Sequence, residues 1–592
     1  MIAKTSLSIY IEVMRSSSII ALFCMSLGQI ALCDSLPQIN VYADANKFSN
    51  QIDLQENVIK GVSTWEQALS QLPGAYVYSE GGILKLNFNG GFNKHILMIV
   101  DDVPVADSTS IDKAFDFNLL DLSQVKSIKV LKKHQSLKYG HQGVVVLIET
   151  TNKNKWKIES GSYGTIDASL DYLINESLGS TLRYHKTDGI SSAAGGEESD
   201  GQEKLFFSLG QKKESFSYGL KFTNQNLEID RGAGSLNDDP NYKIKQNQIF
   251  LYANAKGKKS QLNTVAKYNH RKSTNSPDSL SSDIDDSTLK GHDVFVNYSY
   301  QDKGWLLASN LSAETIDVDA FSFGVASQIN SKNKQSSYLA ASKSIESQNL
   351  GFDIGFWGDY DSIVKDNFGY STALNFKYGR LIIEQGFFKK INKPTLYQIY
   401  DPQFGNKDLK EEEVSSYIVN LEYLSKLAII KLSYEIKRLE NLIDFDPATS
   451  KSINIDKAKI EVISIELNQQ VRDYNLAFNS SYFINFEDGE DVKLRRRPRW
   501  TSALSISKDF IHNISVSLIA NYIGPRKDLD IATFSVIERL PSYKKLDLFI
   551  SKKQGLSNYF IRLENLSNDK TMSINGYSRA GFTAFAGLEK SF

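Results

Sequence analysis

Residues 512–523 read His-Asn-Ile-Ser-Val-Ser-Leu-Ile-Ala-Asn-Tyr-Ile, with Ile514, Val516, Leu518 and Ala520 on one face and Asn513, Ser515, Ser517 and Asn521 mostly on the other. A period of two marks a strand with one apolar face. The same grammar recurs from Trp156 to Phe592. Candidate strands run at 155–163, 165–174, 178–187, 203–212, 215–224, 247–256, 260–270, 291–301, 304–313, 335–345 and 349–359. They continue at 368–378, 380–388, 414–424, 427–446, 459–470, 473–484, 498–508, 512–523, 543–552, 557–566 and 581–592, which makes about 22.

The connections alternate in length. Asn175-Glu176-Ser177, Gly257-Lys258-Lys259, Asp302-Lys303 and Lys426 are tight turns, whereas 188–202, 225–246, 271–290, 314–334, 389–413, 485–497, 524–542 and 567–580 are long and polar. Short turns on one side and long loops on the other are the pattern of a transmembrane β-barrel. An even strand number permits closure, and closure is required because each unpaired backbone group in hydrocarbon costs several kcal/mol. The expected fold is an all-β membrane protein, an antiparallel transmembrane β-barrel of about 22 strands. A barrel this wide encloses a lumen that must be filled or plugged. The filler is an N-terminal α+β plug domain at 44–154, with an amphipathic helix near Thr64–Gln71 halted by Pro73-Gly74 and short strands at 75–78, 83–89, 95–100, 125–131 and 143–151. The barrel takes 155–592.

The N-terminus reads as a cleaved secretory signal peptide over 1–33. Cationic residues (Lys4, Arg15) precede an apolar run from Ile19 to Leu27, and Ala31-Leu32-Cys33 supplies the small residues before a cut. The two cysteines, Cys24 and Cys33, would leave with it, so a disulfide or thiolate metal site is not expected in the mature chain. The expected location is the cell outer membrane. A formal net charge of −1 argues against nucleic acid recruited by bulk charge. The seven histidines are scattered, and neither a His-Glu-x-x-His pattern nor a phosphate-cradling loop occurs, so no enzyme is expected.

Several blocks resemble TonB-dependent outer-membrane receptors. In the plug these are Trp65 to Gly74, His95 to Val105, and Val125 to Leu131 followed by Tyr139-Gly140 and Gly143 to Thr150. In the barrel they are Pro394 to Tyr400 with Gly405 to Lys410, Asn441 to Asp444, Arg496-Arg497-Pro498-Arg499, Glu564 to Lys570, and the aromatic-terminated last strand Gly581 to Phe592. Within that family, the compact length and short first loops look most like corrinoid (cobalamin) transporters. The resemblance implies TonB with its inner-membrane energising complex as partner, a small-molecule ligand (corrinoid or iron chelate), outer-membrane lipid and lipopolysaccharide around the wall, and assembly by the outer-membrane barrel machinery. A ferric-siderophore receptor is the alternative ligand reading, and a passive porin or adhesive barrel the alternative class.

The resemblance also carries the sites. Gln38, Ile39, Asn40, Val41, Tyr42 and Ala43, within the segment 34–43, look like the TonB box, which needs an extended strand with free edges to pair with TonB. Ligand contacts are expected at the plug apices and an outer loop: Gly81, Gly82, Asn89, Phe92, Asn93, Asp107, Ser108, Tyr397, Tyr400 and Phe404. Acidic residues in the early loops, Glu197, Glu198, Asp200, Asp230, Asp278 and Asp283, have the composition of a Ca²⁺ site, which wants six to eight oxygens; a solvated acidic surface is the competing reading. Arg495, Arg496, Arg497 and Arg499 suit phosphate or an anionic ligand, or simply a basic loop boundary. The chain departs from the family where its plug arginine is expected. Phe88-Asn89-Gly90 has none, and Lys132-Lys133-His134 replaces a second arginine block, so Lys132 and Lys133 are the expected substitutes for holding the plug.

Overall fold

The computed structural model describes residues 62–592 apart from 81, 112, 132, 141–142, 151–152, 197, 231–237, 278–283, 323–324, 426, 447, 489–493 and 531–535. The segment Gln38–Ala43 lies outside the described residues, as do Gly81, Lys132, Glu197, Asp278 and Asp283.

Helix α1 (Trp65–Ser70) begins with a capping box: the Thr64 hydroxyl accepts from Gln67 N at 3.2 Å, and the Gln67 side chain accepts from Thr64 N at 3.2 Å. Gly74 then turns the chain with φ +79° into β1 (Ala75–Glu80), which pairs antiparallel with β2 (Ile83–Phe88). Four further strands, β3 (Ile96–Val100), β4 (Val103–Pro104), β5 (Val125–Leu131) and β6 (Val144–Thr150), form a sheet ordered β4-β3-β6-β5 in which β3 and β6 run parallel. Trp65, Leu69, Leu72, Val77, Leu86, Phe88, Val130 and Ile148 close the core between these elements. Trp65 Nε1 donates to Leu120 O at 2.7 Å, so the one polar atom of this large apolar side chain is satisfied.

Around the plug, twenty-two antiparallel strands form a closed barrel. The strand Thr583–Ser591 pairs with Lys155–Gly161, from Phe585↔Gly161 to Ser591↔Lys155, so no sheet edge remains. Outward-facing residues are apolar and exposed, among them Leu251, Leu339, Phe356 and Phe368. Ile514–Ile523 follows the pattern, with Ser517, Ile519 and Asn521 buried towards the lumen and Leu518 exposed. No helix among the described residues is long and apolar enough to cross a membrane.

Strands extend further at the long-loop end than the sequence suggests. Residues 314–334, expected as a loop, are mostly ladder: Trp305–Ser322 pairs with Val325–Glu346 through a bulge between Ile316 and Val318. Their apolar residues explain it, because Ile316, Val318 and Ile329 bury against Leu396. Leu396 opens α2 (Leu396–Tyr400), a short helix in the loop after the strand Leu381–Asn392, capped by Thr395 and Gln398.

Gly74 is required twice over. An L-residue with positive φ costs about 1–2 kcal/mol, and a Cβ here would lie 1.7 Å from Asn89 Oδ1. Gly74→Ala is therefore expected to loosen β1 and displace Asn89, read as faster protease cleavage within 62–150 while the barrel stays heat-resistant.

Candidate functional site

Three arrangements have the makings of function: a lock between plug and barrel, a cavity over the plug apex, and a cluster of acids beside it. Asn89, buried and at φ +47°, donates from Nδ2 to Glu435 Oε2 at 2.8 Å, while its carbonyl accepts from Lys437 Nζ at 2.8 Å. Next to it Arg497, buried in the barrel's loop boundary, donates Nε to Gly90 O at 2.6 Å and stacks its guanidinium 4.1 Å from the Phe92 ring centroid. Arg496 pairs with Glu80 of the plug at 2.8 Å and with Asp528 at 3.1 Å, and Arg495 with Asp444 at 3.1 Å. Burial raises the Glu80 carboxyl's affinity for a proton, but Lys85 and Arg496 outweigh it and hold the group well below the usual carboxylate range.

The arginines thus reach the plug from the barrel. The plug's own cations complement this: Lys94 pairs with buried Glu412 at 2.7 Å, and His95 Nε2 lies 3.0 Å from the same carboxylate. Burial pushes His95 down to about 4 despite that carboxylate, so it is neutral at pH 7. At the far side of the apex Lys545 holds Glu66 at 2.6 Å, and Gln67 Nε2 donates to Asp547 at 2.8 Å. Asn89, offered by the sequence as a ligand contact, and Arg496 and Arg497, offered as part of an anion site, hold the plug, whereas Arg495 pairs with Asp444 within the barrel.

The cavity lies at the long-loop end and measures about 290 Å³. Tyr78, Ser79 and Gly82 of the β1–β2 hairpin make its floor, Ser191, Asp200 and Gln202 one side, and Tyr543, Tyr577 and Arg579 another. Aromatic bodies with a few converging polar groups are what a small-molecule site uses. Arg579 sits 3.9 Å over the Tyr543 ring and 3.6 Å from Glu66. Of the residues expected at the ligand, Gly82 lies here; its carbonyl accepts from Lys204 Nζ at 3.1 Å.

The others are elsewhere. Phe92 is under Arg497, and Asn93 starts a 3₁₀ turn whose side chain lies outside the described set. Asp107 is buried, accepting from Thr109 and from Gln246 Nε2 at 2.6 Å; Ser108 Oγ accepts from Asn269 at 2.7 Å and fills the space over Gly291. Tyr397 and Tyr400 pack beside the Ile316–Leu396 cluster, Lys332 lying 5.3 Å from the Tyr400 ring, and Phe404 meets Phe445 edge-on at 6.1 Å. The tyrosines and Arg579 of the cavity escaped sequence reading because they come from β1, two hairpin ends and a late loop, which no local pattern connects.

The acidic cluster adjoins the cavity through Asp200. Carboxylate oxygens of Glu198, Asp200 and Asp230 lie within 4.8 Å of one another. Ser192 N donates to Asp200 and Ala193 N to Asp230, while Asp230 Oδ1 accepts from Asp239 N at 2.8 Å. Both Glu198 carboxylate oxygens are buried without a hydrogen-bond donor. Burial and Asp238 push Glu198 up to about 8; burial and Asp230 push Asp200 up to about 7. Hard oxygens, crowded and unwilling to ionise together, fit a hard divalent cation.

Comparison with known proteins covers both the plug and the barrel. The family model described as TonB dependent receptor-like, beta-barrel matches residues 149–568, and the TonB-dependent Receptor Plug Domain model matches 44–145. The curated vitamin B12 transporter BtuB of Vibrio cholerae serotype O1 is 25% identical over 230 residues, 36% of this chain and 36% of that protein, so the match spans about a third of the relative's length. Among solved structures, the siderophore receptor PirA from Acinetobacter baumannii superposes with a TM-score of 0.71 at 14% identity, covering 92% of this chain and 98% of that one. The ferric enterobactin receptor PfeA from Pseudomonas aeruginosa, in complex with enterobactin, gives 0.71 at 15%, covering 92% and 100%. The FrpB iron transporter from Neisseria meningitidis gives 0.71 at 11%, covering 92% and 99%. At these identities the structural matches establish the fold.

Proposed function

We propose, from the premise that this chain belongs to the TonB-dependent receptor family, that it imports a corrinoid across the outer membrane. The ligand is captured from outside at the apical cavity. TonB, driven by the inner-membrane proton gradient, pairs with Gln38–Ala43 and pulls; the plug rearranges and the ligand passes to the periplasm. Nothing covalent is made or broken. Export through a signal peptide at 1–33 and assembly by the barrel machinery complete the route.

The observation that carries the corrinoid reading is the acid triad at the cavity wall, supported by the relative named for vitamin B12 transport. Glu198, Asp200 and Asp230 would hold Ca²⁺, which supplies the positive charge that lets these loops pack together over the ligand. The cavity is at the small end of the range for ligand sites, so a corrinoid seats above it and the ordered loops close around it. One feature favours a ferric siderophore instead: Arg579 in the wall, which suits an anionic iron chelate.

Cyanocobalamin binding by purified protein in detergent, with and without Ca²⁺, tests the reading. Tight, calcium-strengthened binding is expected; a folded sample that ignores cyanocobalamin but retains a ferric catecholate would transfer the assignment to iron. The pH dependence has a definite sign. Cation binding must displace the protons that Glu198 and Asp200 hold with their raised affinities, about 8 and about 7. Calcium affinity therefore rises with pH through 7 to 8 and falls steeply below 7. Asp230→Asn should weaken Ca²⁺ by about tenfold or more, because a charged oxygen of the set is lost; isothermal titration calorimetry at pH 6 and pH 8 reads both effects.

A further inference from the structure

Lys390 stands near the outer end of the strand Leu381–Asn392, opposite Val414 and only 7% exposed. Its alternating neighbour Phe388 is buried too, so this face of the strand looks into the lumen. Among the described residues, nothing lies within hydrogen-bond or ion-pair distance of the Lys390 ammonium. An ammonium taken out of water without a partner is costly, and proteins pair such groups or neutralise them.

The surroundings add positive charge where Lys390 needs negative. Lys94, Lys437, Glu412 and Glu435 face it, and Arg497 faces Lys437. Four cations therefore meet two carboxylates, because His95 is neutral and Arg495 and Asp444 satisfy each other. Three of the four cations have acceptors. Lys94 donates to Ile443 O at 2.7 Å and pairs with Glu412 at 2.7 Å. Lys437 donates to Asn89 O at 2.8 Å, and Arg497 to Gly90 O at 2.6 Å. The carboxylates are engaged by the plug as well, Glu412 by His95 at 3.0 Å and Glu435 by Asn89 at 2.8 Å. Lys390 alone of the four is left over. Two more donors beside it, Asn392 Nδ2 and Ser416 Oγ, are buried without a partner.

We infer that one monovalent anion of halide size, such as chloride, sits against Lys390 between plug and wall and completes the lock. A water molecule could accept from the ammonium, but it would leave the positive surplus uncancelled. Val414 and Leu439, buried and apolar, are the next residues across the same face. The anion must therefore be one that gives up its water readily, which sulfate and phosphate do not. The site lies under the Asn89–His95 segment and is independent of which ligand the apical cavity takes.

The test compares the full chain in detergent, at equal ionic strength, in sodium chloride, bromide, gluconate and sulfate. Protease cleavage within 62–150 should slow saturably with chloride and with bromide. The slowing should reach about tenfold at about ten times the dissociation constant. Gluconate and sulfate should produce none of it. Lys390→Met should be cleaved equally in chloride and gluconate, and Lys390→Arg should keep the halide response. Heat-modifiable electrophoretic mobility certifies each variant as folded. Crystals of the unaltered protein soaked in bromide should show an anomalous peak beside Lys390 Nζ, an arm that needs no variant. Equal cleavage in chloride and gluconate, the behaviour of a neutral amine, overturns the proposal. So does a halide effect that survives Lys390→Met, or bromide found only at exposed lysines.

Discussion

Val41→Pro should reduce energised uptake to the level seen in cells whose proton gradient has been collapsed, while leaving ligand binding unchanged. A segment recruited by strand addition offers its N–H and C=O groups to the partner. Proline has no N–H and fixes φ, so it deletes a ladder bond and obstructs the neighbouring one. Val41→Thr, which keeps the donor and strand propensity, should transport normally. Transport assays in intact cells, paired with binding on the same membranes, separate the coupling step from capture. Normal uptake by the proline variant would remove Gln38–Ala43 from the mechanism.

Arg497→Ala should release the plug. It deletes the bond from Nε to Gly90 O, buried among the plug–barrel contacts, and the stacking on Phe92 at 4.1 Å. A hydrogen bond to a charged group contributes about 1.5–3 kcal/mol, and a desolvated cation–π contact about 1–2 kcal/mol. A loss of about 2.5–5 kcal/mol from the plug's anchoring follows. The expected readout is ion conductance across planar bilayers and entry of large antibiotics, both low in the unaltered protein. Arg497→Lys should recover only part, because an ammonium cannot both reach Gly90 O in plane and lie flat on Phe92. A variant as tight as the parent would show that the Glu435–Asn89 and Glu412–Lys94 contacts hold the plug without it.

These expectations show where sequence reading stops. The barrel was legible because period-two patterning is local: Ile514–Ile523 alternates in the sequence as it does in the wall. The helix was legible for a similar reason, since Thr64, Gln67 and Pro73-Gly74 mark both its ends. Residues 314–334 misled, because the many polar and charged residues between Ile316, Val318 and Ile329 make the segment resemble a loop, and those three bury only against Leu396 from a distant helix. The plug lock misled in a different way. Asn89 in place of an arginine turns attention to Lys132 and Lys133 of the plug itself, whereas Arg496 and Arg497 supply cations from the other partner, more than 400 positions away. Pairings of that span leave no local trace. The acid cluster was legible as composition, but only folding brings Glu198, Asp200 and Asp230 within one coordination radius.

Energised import of a corrinoid is tested most directly by uptake of radiolabelled cyanocobalamin into cells in which this chain is the sole outer-membrane route, with and without a protonophore. Accumulation should stop when the gradient collapses although surface binding persists. Uptake indifferent to the protonophore, or no binding and no uptake by a correctly assembled barrel, would contradict it.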